Sequence, residues 1–367
     1  MISASLHPGL VDVLVIGGGQ AGLAAGFYLR RAGLDFAILD AQDQPGGAWR
    51  HAWPSLRLFS PAQYSSLPGR PMPATEGYPD ATHVTDYLAA YEKRYELPVH
   101  RPVHVETVHR DTENLRVETD HGPWTARRVI SATGTWWQPY LPHYPGQNAF
   151  RGRQLHTTGY HGPHAFHGQR VVVVGGGNSA AQIVADLSAD PDIETFWATL
   201  RPPRLLPDHV DGRALFEIAT RRRAAVLAGT ADGGGVADLG DIVAVPPVRA
   251  ARDRGHLHAH PMFDRLTTTG IAWPDGTRLD CDAIIWCTGF RPALRHLAPL
   301  RLREENGHIR ISGTHADAEP RLHFIGYGDW TGPGSATLIG SGINARDAVD
   351  TIARELGGRP VHHRRPQ

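Results

Sequence analysis

Two glycine clusters carry the clearest chemistry in the sequence. Gly17, Gly19 and Gly22 are spaced GxGxxG; Gly175, Gly177 and Ala180 are spaced GxGxxA. The first glycine permits a tight turn. The second lets a diphosphate approach the backbone. The third small residue lets a following helix pack close on the preceding strand. The start of that helix offers free N–H groups and positive potential to the phosphates. Such glycines also occur where a helix merely packs on a sheet, so the flanking elements decide.

The flanks support a dinucleotide site twice. Before the first cluster, Val11 to Ile16 is an apolar strand, interrupted at Asp12, of the buried, parallel-sheet kind. After it, "AGLAAGFYLRRAG" has helical spacing and ends at Gly33, and "DFAILD" is a second strand ending in Asp40. An acid there accepts hydrogen bonds from ribose hydroxyls. The second copy runs from the strand Val171–Val174 through a helix to the strand "ETFWATL". Arg201 stands where the first copy has its acid, with Arg204 behind it. An arginine suits a 2′-phosphate, which an acid repels. The first site therefore reads as FAD and the second as NADPH. Arginine does not exclude a free ribose, so NADH is an expected second donor. The plain alternative for Arg201 is a solvated loop charge.

Smaller landmarks fit the same plan. "RRVISATG" and "AIIWCTG" are buried strands ending in Thr-Gly turns, which puts Thr133 and Thr288 where the chain leaves a nucleotide-binding unit. Near the C-terminus a strand leads to a turn with Asp329 and then to a helical segment beginning around Thr337. Asp329 is placed to hold a ribityl hydroxyl, and the helix start to aim N–H groups at an anionic flavin edge; a turn capped by Asp is the plain alternative. The candidate cofactor contacts also include Gln20, Gly47, Trp49 and Val105 in the first unit and Asn178 and Ser179 in the second. The expected fold is α/β with two Rossmann-like dinucleotide-binding domains. The FAD domain spans 1–152 and 289–367, and the NAD(P)H domain, 153–288, is inserted in it. The stretch 219–240 reads as an arginine-rich solvated helix face followed by a mobile glycine loop, and the last residues as a disordered tail.

Composition excludes several classes. The 367 residues suffice for two domains. Lys+Arg and Asp+Glu both count 37, so no basic surplus suggests nucleic acid. Apolar runs are too short to span a membrane, and no signal peptide is expected. Two cysteines, Cys281 and Cys287, exclude a disulfide framework and fit a cytoplasmic protein. The 22 histidines are scattered; the pair His258 and His260 lacks a companion at ligand spacing, so no metal is expected.

Between the two units lies "FRGRQLHTTGY", which has neither a helical nor a strand period. Written with gaps it is Phe150-x-Gly152-x-x-x-His156-x-x-x-Tyr160. This resembles the FxGxxxHxxx(Y/F/W) linker of class B flavoprotein monooxygenases, the flavin-containing and Baeyer–Villiger enzymes. "GGAWR" at 46–50 is similar to that family's GGxW segment beside the flavin. The resemblance covers nearly the whole chain and is strongest to short bacterial members, including relatives from arsenic-resistance operons. It implies that NADPH reduces FAD and that the reduced flavin forms a C4a-hydroperoxide with oxygen. That species oxygenates soft nucleophiles, sulfides or amines, and in some members small ketones. The reactive atom belongs to the cofactor, so no catalytic triad is expected. Family habit implies a homodimer. His156 is read as a residue fixing the joint between domains rather than an acid or base; an ordinary hydrogen-bonded linker histidine is the plain alternative.

One departure stands out. Many members carry a TNxPK segment whose asparagine amide lies near the hydroperoxide. Aligned on Pro61, that position here is Phe59, which donates no hydrogen bond. Phe59 is expected to wall the pocket without holding the adduct. Two rival functions remain. A reductase of the thioredoxin-reductase type needs a CxxC beside the flavin, which the sequence lacks. A non-catalytic flavin sensor has no need of Arg201.

Overall fold

A computed structural model describes residues 9–214, 217, 221, 242–305, 307–332 and 334–361. The expectations for 219–240 and for the C-terminal tail lie outside these residues, Arg221 and Gly357 to Val361 aside; contrary to expectation, that start of the tail is tied down, with Arg359 N–H donating to Ala32 O and Val361 buried. In chain order the first elements are β1 (Val11–Ile16), α1 (Gln20–Ala32), β2 (Phe36–Leu39), α2 (Ala81–Arg94), β3 (Val99–His100), β4 (Val105–Asp111), β5 (Asn114–Thr119) and β6 (Trp124–Ser131). Then come β7 (Arg153–His156), β8 (Arg170–Val174), α3 (Asn178–Leu187), β9 (Glu194–Thr199), α4 (Pro246–Asp253), β10 (Ala259–Pro261), β11 (Arg265–Leu266), β12 (Gly270–Ala272), β13 (Arg278–Asp280) and β14 (Ala283–Trp286). The chain ends with β15 (Ile311–Ser312), β16 (His315–Ala316), β17 (Glu319–Phe324) and α5 (Leu338–Leu356).

Two sheets organise these elements. In the first, β17, β6, β1, β2 and β3 run parallel, with β15 and β16 added at one edge and the β4–β5 hairpin paired to β6. The central strands thus come from both ends of the chain. In the second, β10-β9-β8-β14-β7 are all parallel. A small antiparallel sheet, β11-β12-β13, accompanies it.

The continuous apolar runs follow from burial on both faces. In β1, Val13 and Val15 face the cluster under α1 and α5, while Leu14 and Ile16 face the cluster closed by β4 and β5. In β8, Val171 and Val173 face the α3 side and Val172 and Val174 the other. A strand buried on both faces has no polar alternation.

The linker departs from expectation. Its RQLH stretch, which has no apolar period, forms β7, an edge strand in parallel register with β14 from Arg153–Ala283 to His156–Trp286. The neighbouring strand supplies the hydrogen bonds, so no apolar period is needed. Phe150 packs into the cluster on one face of the second sheet and Tyr160 into the cluster on the other. The Tyr160 hydroxyl donates to Asp186 at 2.6 Å. Gly152 lies against the Phe150 ring and the Asp282 carbonyl, where a Cβ would not fit. The aromatic pair therefore staples the linker across the sheet edge.

The two connectors between the sheets run side by side. Tyr140 N–H donates to Gly289 O at 3.0 Å, Arg291 N–H to Gln138 O at 2.8 Å and Ala293 N–H to Gly134 O at 2.9 Å. Beneath them His296 is buried, and desolvation pushes its pKa down to about 4; His323, in the core of β17, falls to about 3 for the same reason. Both stay neutral in the fold and gain protons near pH 6.5 when unfolded. The unfolded state then binds more protons, so stability is full above about pH 6.5 and declines as pH falls toward 4. The expected loss is on the order of 1.4 kcal/mol per pH unit for each group. Urea denaturation at pH 7, 5.5 and 4.5 checks this; a flat profile would count against neutral buried histidines.

Candidate functional site

The first glycine turn is built for close approach. Gly17 has φ 108° and its missing Cβ would strike the Ala132 carbonyl; Gly22 lies under the Gly17 carbonyl. Gly19 is the N-cap of α1 and provides no side-chain cap. Gly177 plays the same part for α3. By contrast Asp80 caps α2 by accepting from His83 N–H at 2.8 Å, and Thr337 caps α5 by accepting from Gly340 N–H at 3.0 Å. Neither helix that follows a glycine turn has a side-chain cap, which fits an anionic ligand at each, while α4 also lacks a side-chain cap but begins on Val245 and prolines instead of a glycine turn.

The GGxW segment sits on the first turn. Gly47 (φ 56°) packs against Gly19, where a Cβ would come within 2.9 Å of its Cα. The Trp49 indole N–H donates to Gln20 Oε1 at 2.9 Å, and Gln20 Nε2 donates to Ala336 O at 2.7 Å. Gln20 thus joins the glycine turn, the GGxW segment and the loop before α5. That gives Gln20, Gly47, Trp49 and Thr337 one neighbourhood. Asp329 lies in the same loop region, exposed, with no side-chain hydrogen bond among the described residues. Thr337 spends its hydroxyl on its own helix, so the expected set of free N–H groups there is smaller by that of Gly340.

Asp40 is less free than its position suggests. It is buried at the end of β2, and its Oδ2 accepts from Arg101 Nε at 2.8 Å. Arg101 also grips Glu92 through both terminal nitrogens, at 2.7 and 2.8 Å. Oδ1 accepts only a long bond from Gln42 N–H, at 3.4 Å, and is the less committed oxygen for a ribose hydroxyl. Val105 is buried in the core at the start of β4, so its side chain offers nothing to a ligand.

At the second turn Gly175 has φ 134° and its missing Cβ would strike the Cys287 carbonyl. Asn178 Oδ1 accepts from Val243 N–H at 2.9 Å, tying the start of α3 to the segment before α4. Ser179 is half-buried in that first turn and Ala180 fully buried. Arg201 is exposed just past the end of β9, the edge where a ribose phosphate would lie. Arg204 is exposed as well, and its carbonyl accepts from Ile242 N–H at 3.1 Å.

The two Thr-Gly turns clamp the connectors. Thr133 Oγ1 donates to Ala293 O at 2.8 Å, and the Thr288 hydroxyl donates to Tyr140 O. Each threonine thus holds the opposite connector. His156, buried at the end of β7, joins the same point. Its Nδ1 accepts from Thr158 N–H at 3.3 Å, which leaves the proton on Nε2 to donate to Gly289 O at 2.9 Å. Desolvation lowers its pKa, consistent with a neutral ring. His156→Ala is expected to raise the fraction of NADPH electrons lost as hydrogen peroxide severalfold, with a smaller change in NADPH affinity. Peroxide release per NADPH oxidised checks it; lost folding without a change in that ratio would make His156 purely structural.

In sequence Phe59 lies between the GGxW segment and Pro61, and it is half-buried. It packs on the second sheet's cluster, and its carbonyl accepts from Gly212 N–H at 2.6 Å. The cysteines lie away from the first turn. Cys281 packs on one face of the second sheet and Cys287 on the other, and both are free thiols. No dithiol stands beside the GGxW segment. His167 pairs with Asp190 and Asp192 at 3.1 and 3.4 Å on the surface, an ordinary ion-pair cluster.

Sequence reasoning missed the cleft itself. A cavity of about 500 Å³ opens between the GGxW segment, the first connector and the linker. Arg50, His51, Trp136, Trp137, Thr158 and His161 line it. The Trp136-Trp137 pair directly after a Thr-Gly turn was the available signal. A larger cavity of about 750 Å³ lies at the start of β8 and β9. Ligands of parallel sheets bind at the opposite, carboxyl ends of the strands.

Residues 14–192 match the family model for pyridine nucleotide-disulphide oxidoreductases. The structure superposes on a flavin-containing monooxygenase from Stenotrophomonas maltophilia with TM-score 0.86 and 50% identity, over 95% of this chain and all of that one. The chain belongs to the flavin-containing monooxygenase family. Among curated sequences it is 29% identical to an uncharacterized CzcO-like oxidoreductase of Geobacillus kaustophilus, over 94% of this chain and 98% of that one. It is 34% identical to a Baeyer–Villiger monooxygenase of Streptomyces coelicolor over 55% of this chain and 40% of that protein. This flavin monooxygenase is accordingly an oxidoreductase of a family that works with FAD and NADPH. Among the described residues no helix is long and apolar enough to cross a membrane.

Proposed function

We propose that the chain oxygenates small soft nucleophiles, sulfides to sulfoxides foremost, with amines and small ketones behind them. The observation that carries this reading is the 50% identity, over 95% of the chain, to a flavin-containing monooxygenase. The net reaction takes sulfide, O2, NADPH and H⁺ to sulfoxide, NADP⁺ and water. In this reading residues 1–152 and 289–367 form the FAD unit and 153–288 the nucleotide unit. Bound FAD supplies the chemistry, accepting a hydride and activating oxygen.

The protein's part is binding, orientation and exclusion of water. The uncapped start of α1 and Gly17 to Gly19 hold one diphosphate; Asp40 Oδ1 takes a ribose hydroxyl. Asp329 takes a hydroxyl of the flavin side chain, and Trp49 with Gln20 braces the turn below. The start of α3 with Gly175 and Gly177 holds the second diphosphate, and Arg201 meets a 2′-phosphate. His156, Thr133 and Thr288 fix the connectors between the two cofactors. No side chain is needed as acid or base. A homodimer in the cytoplasm completes the reading, supported by family habit; light scattering tests the dimer. Feeding the FAD-loaded enzyme NADPH with and without a sulfide tests the function. Stimulated NADPH oxidation with matching sulfoxide supports it. Turnover only with an artificial electron acceptor would make the protein a reductase.

A further inference from the structure

The cleft between the GGxW segment and the linker has walls of unusual uniformity. Trp136 is fixed between the His51 ring, stacked nearly parallel to it at 5.9 Å, and the Phe290 ring at 5.6 Å. His51 is itself held by Gln42 Oε1 at 2.9 Å and meets Trp137 edge-on at 5.2 Å. These rings form one rigid wall. Trp137 closes it yet remains 59% exposed, a large apolar face without cover. Among the described residues no carboxylate lines the cleft; its titratable residues are Arg50, His51 and His161. Burial first, and Arg50 second, lowers the His51 pKa, so Arg50 brings the fixed charge. Its guanidinium has one acid nearby, Asp43 at 3.6 Å, and that acid is outside the cleft lining. The cleft also begins beside the flavin turn: Arg50 directly follows Trp49, and Thr158 is two residues past His156.

We propose that this cleft selects planar aryl sulfides carrying an acidic group, and that it disfavours amines. The aryl ring lies on Trp137, and the acid reaches Arg50. Stacking on an exposed indole favours flat aromatic substrates over alkyl chains. An alkyl amine is protonated at neutral pH, lacks the lone pair that takes oxygen, and would enter beside the Arg50 cation, whose neighbouring acid Asp43 is already paired with that guanidinium. The inference deepens the proposed monooxygenase activity and rests on it. In the balanced step the sulfur gains one oxygen atom of O2. The other leaves as water, with two electrons and one proton from NADPH as hydride and a second proton from solvent.

The test uses FAD-loaded enzyme with 4-(methylthio)benzoate, methyl phenyl sulfide, butyl methyl sulfide and N,N-dimethylbenzylamine, each scored by oxygenated product. The expected order of kcat/KM follows that list, with the benzoate roughly tenfold above methyl phenyl sulfide, as one charge-assisted contact allows. Arg50→Gln should erase the benzoate advantage through KM, and Arg50→Lys should restore part of it. Trp137→Ala should lower the aryl-to-alkyl preference about tenfold, the order of one lost aromatic contact. Bound FAD per protein reports whether each variant is folded. An amine turned over as well as the sulfides would overturn the proposal. So would an Arg50→Gln effect confined to KM for NADPH, which would give the cleft to the nucleotide. Absence of sulfoxide from every sulfide would instead defeat the monooxygenase reading beneath it.

Discussion

Gly22→Ala is expected to yield protein that no longer retains FAD. The added Cβ would fall inside contact distance of the Gly17 carbonyl oxygen, with the Gly17 carbonyl carbon at 3.0 Å and a Val15 methyl at 3.5 Å. None of the first-named atoms can swing aside, because they are backbone. Helix α1 would have to lift from β1, and its uncapped N–H groups would move with it. Overpacking of this kind costs on the order of 3 kcal/mol or more, which is above a hundredfold in FAD affinity. Gly33→Ala is the control. It shares the glycine-to-alanine change, and although its φ is 70°, unlike that of the helical Gly22, no atom lies within 4 Å of its Cβ. That substitution costs about 1 kcal/mol of backbone strain and should leave the flavin in place. Flavin absorbance per protein after gel filtration reads both variants. Equal FAD content in the two would contradict the assigned role of the first turn.

Arg201→Ala is expected to lower kcat/KM for NADPH by roughly 10- to 100-fold, the value of one charge-assisted contact to a phosphate. The value for NADH should change little, since that nucleotide has no 2′-phosphate. Arg201 is exposed beyond the end of β9, so stability should not change. Arg204 behind it tests the depth of the site: Arg204→Ala should produce a smaller shift in the same direction. Steady-state kinetics with both nucleotides decides. A parallel fall for NADPH and NADH would remove Arg201 from nucleotide selection.

Much of the molecule could be read because its rules are local. Val13 to Ile16 and Val171 to Val174 are buried on both faces, so burial writes itself into the sequence as unbroken apolar runs. The spacing of the glycine turns is local too, since it serves the helix that follows directly, although the carbonyls that crowd Gly17 and Gly175 come from the distant Ala132 and Cys287. Long-range dependence hid the rest. RQLH forms β7 because β14 lies alongside it, 130 residues later. Asp40 looks available until Arg101, 61 residues on, takes one of its oxygens. The cleft was invisible for the same reason: its walls come from segments near residues 50, 136 and 160. Phe59 was assigned by position relative to a proline, and position along the chain did not reveal that its ring packs on the second sheet. The linker sharpens the general point. Its pattern of Phe150, His156 and Tyr160 was legible, but its work was not: two rings staple a strand, and one imidazole holds a connector.

The central claim is that oxygen from O2 ends in the product. The direct measurement is turnover of methyl phenyl sulfide by the FAD-loaded enzyme with NADPH under ¹⁸O2, with mass spectrometry of the sulfoxide. The account predicts one ¹⁸O atom per sulfoxide and one NADPH oxidised per labelled product, less any released peroxide. NADPH oxidation that yields peroxide alone, or sulfoxide carrying oxygen from water, would contradict it.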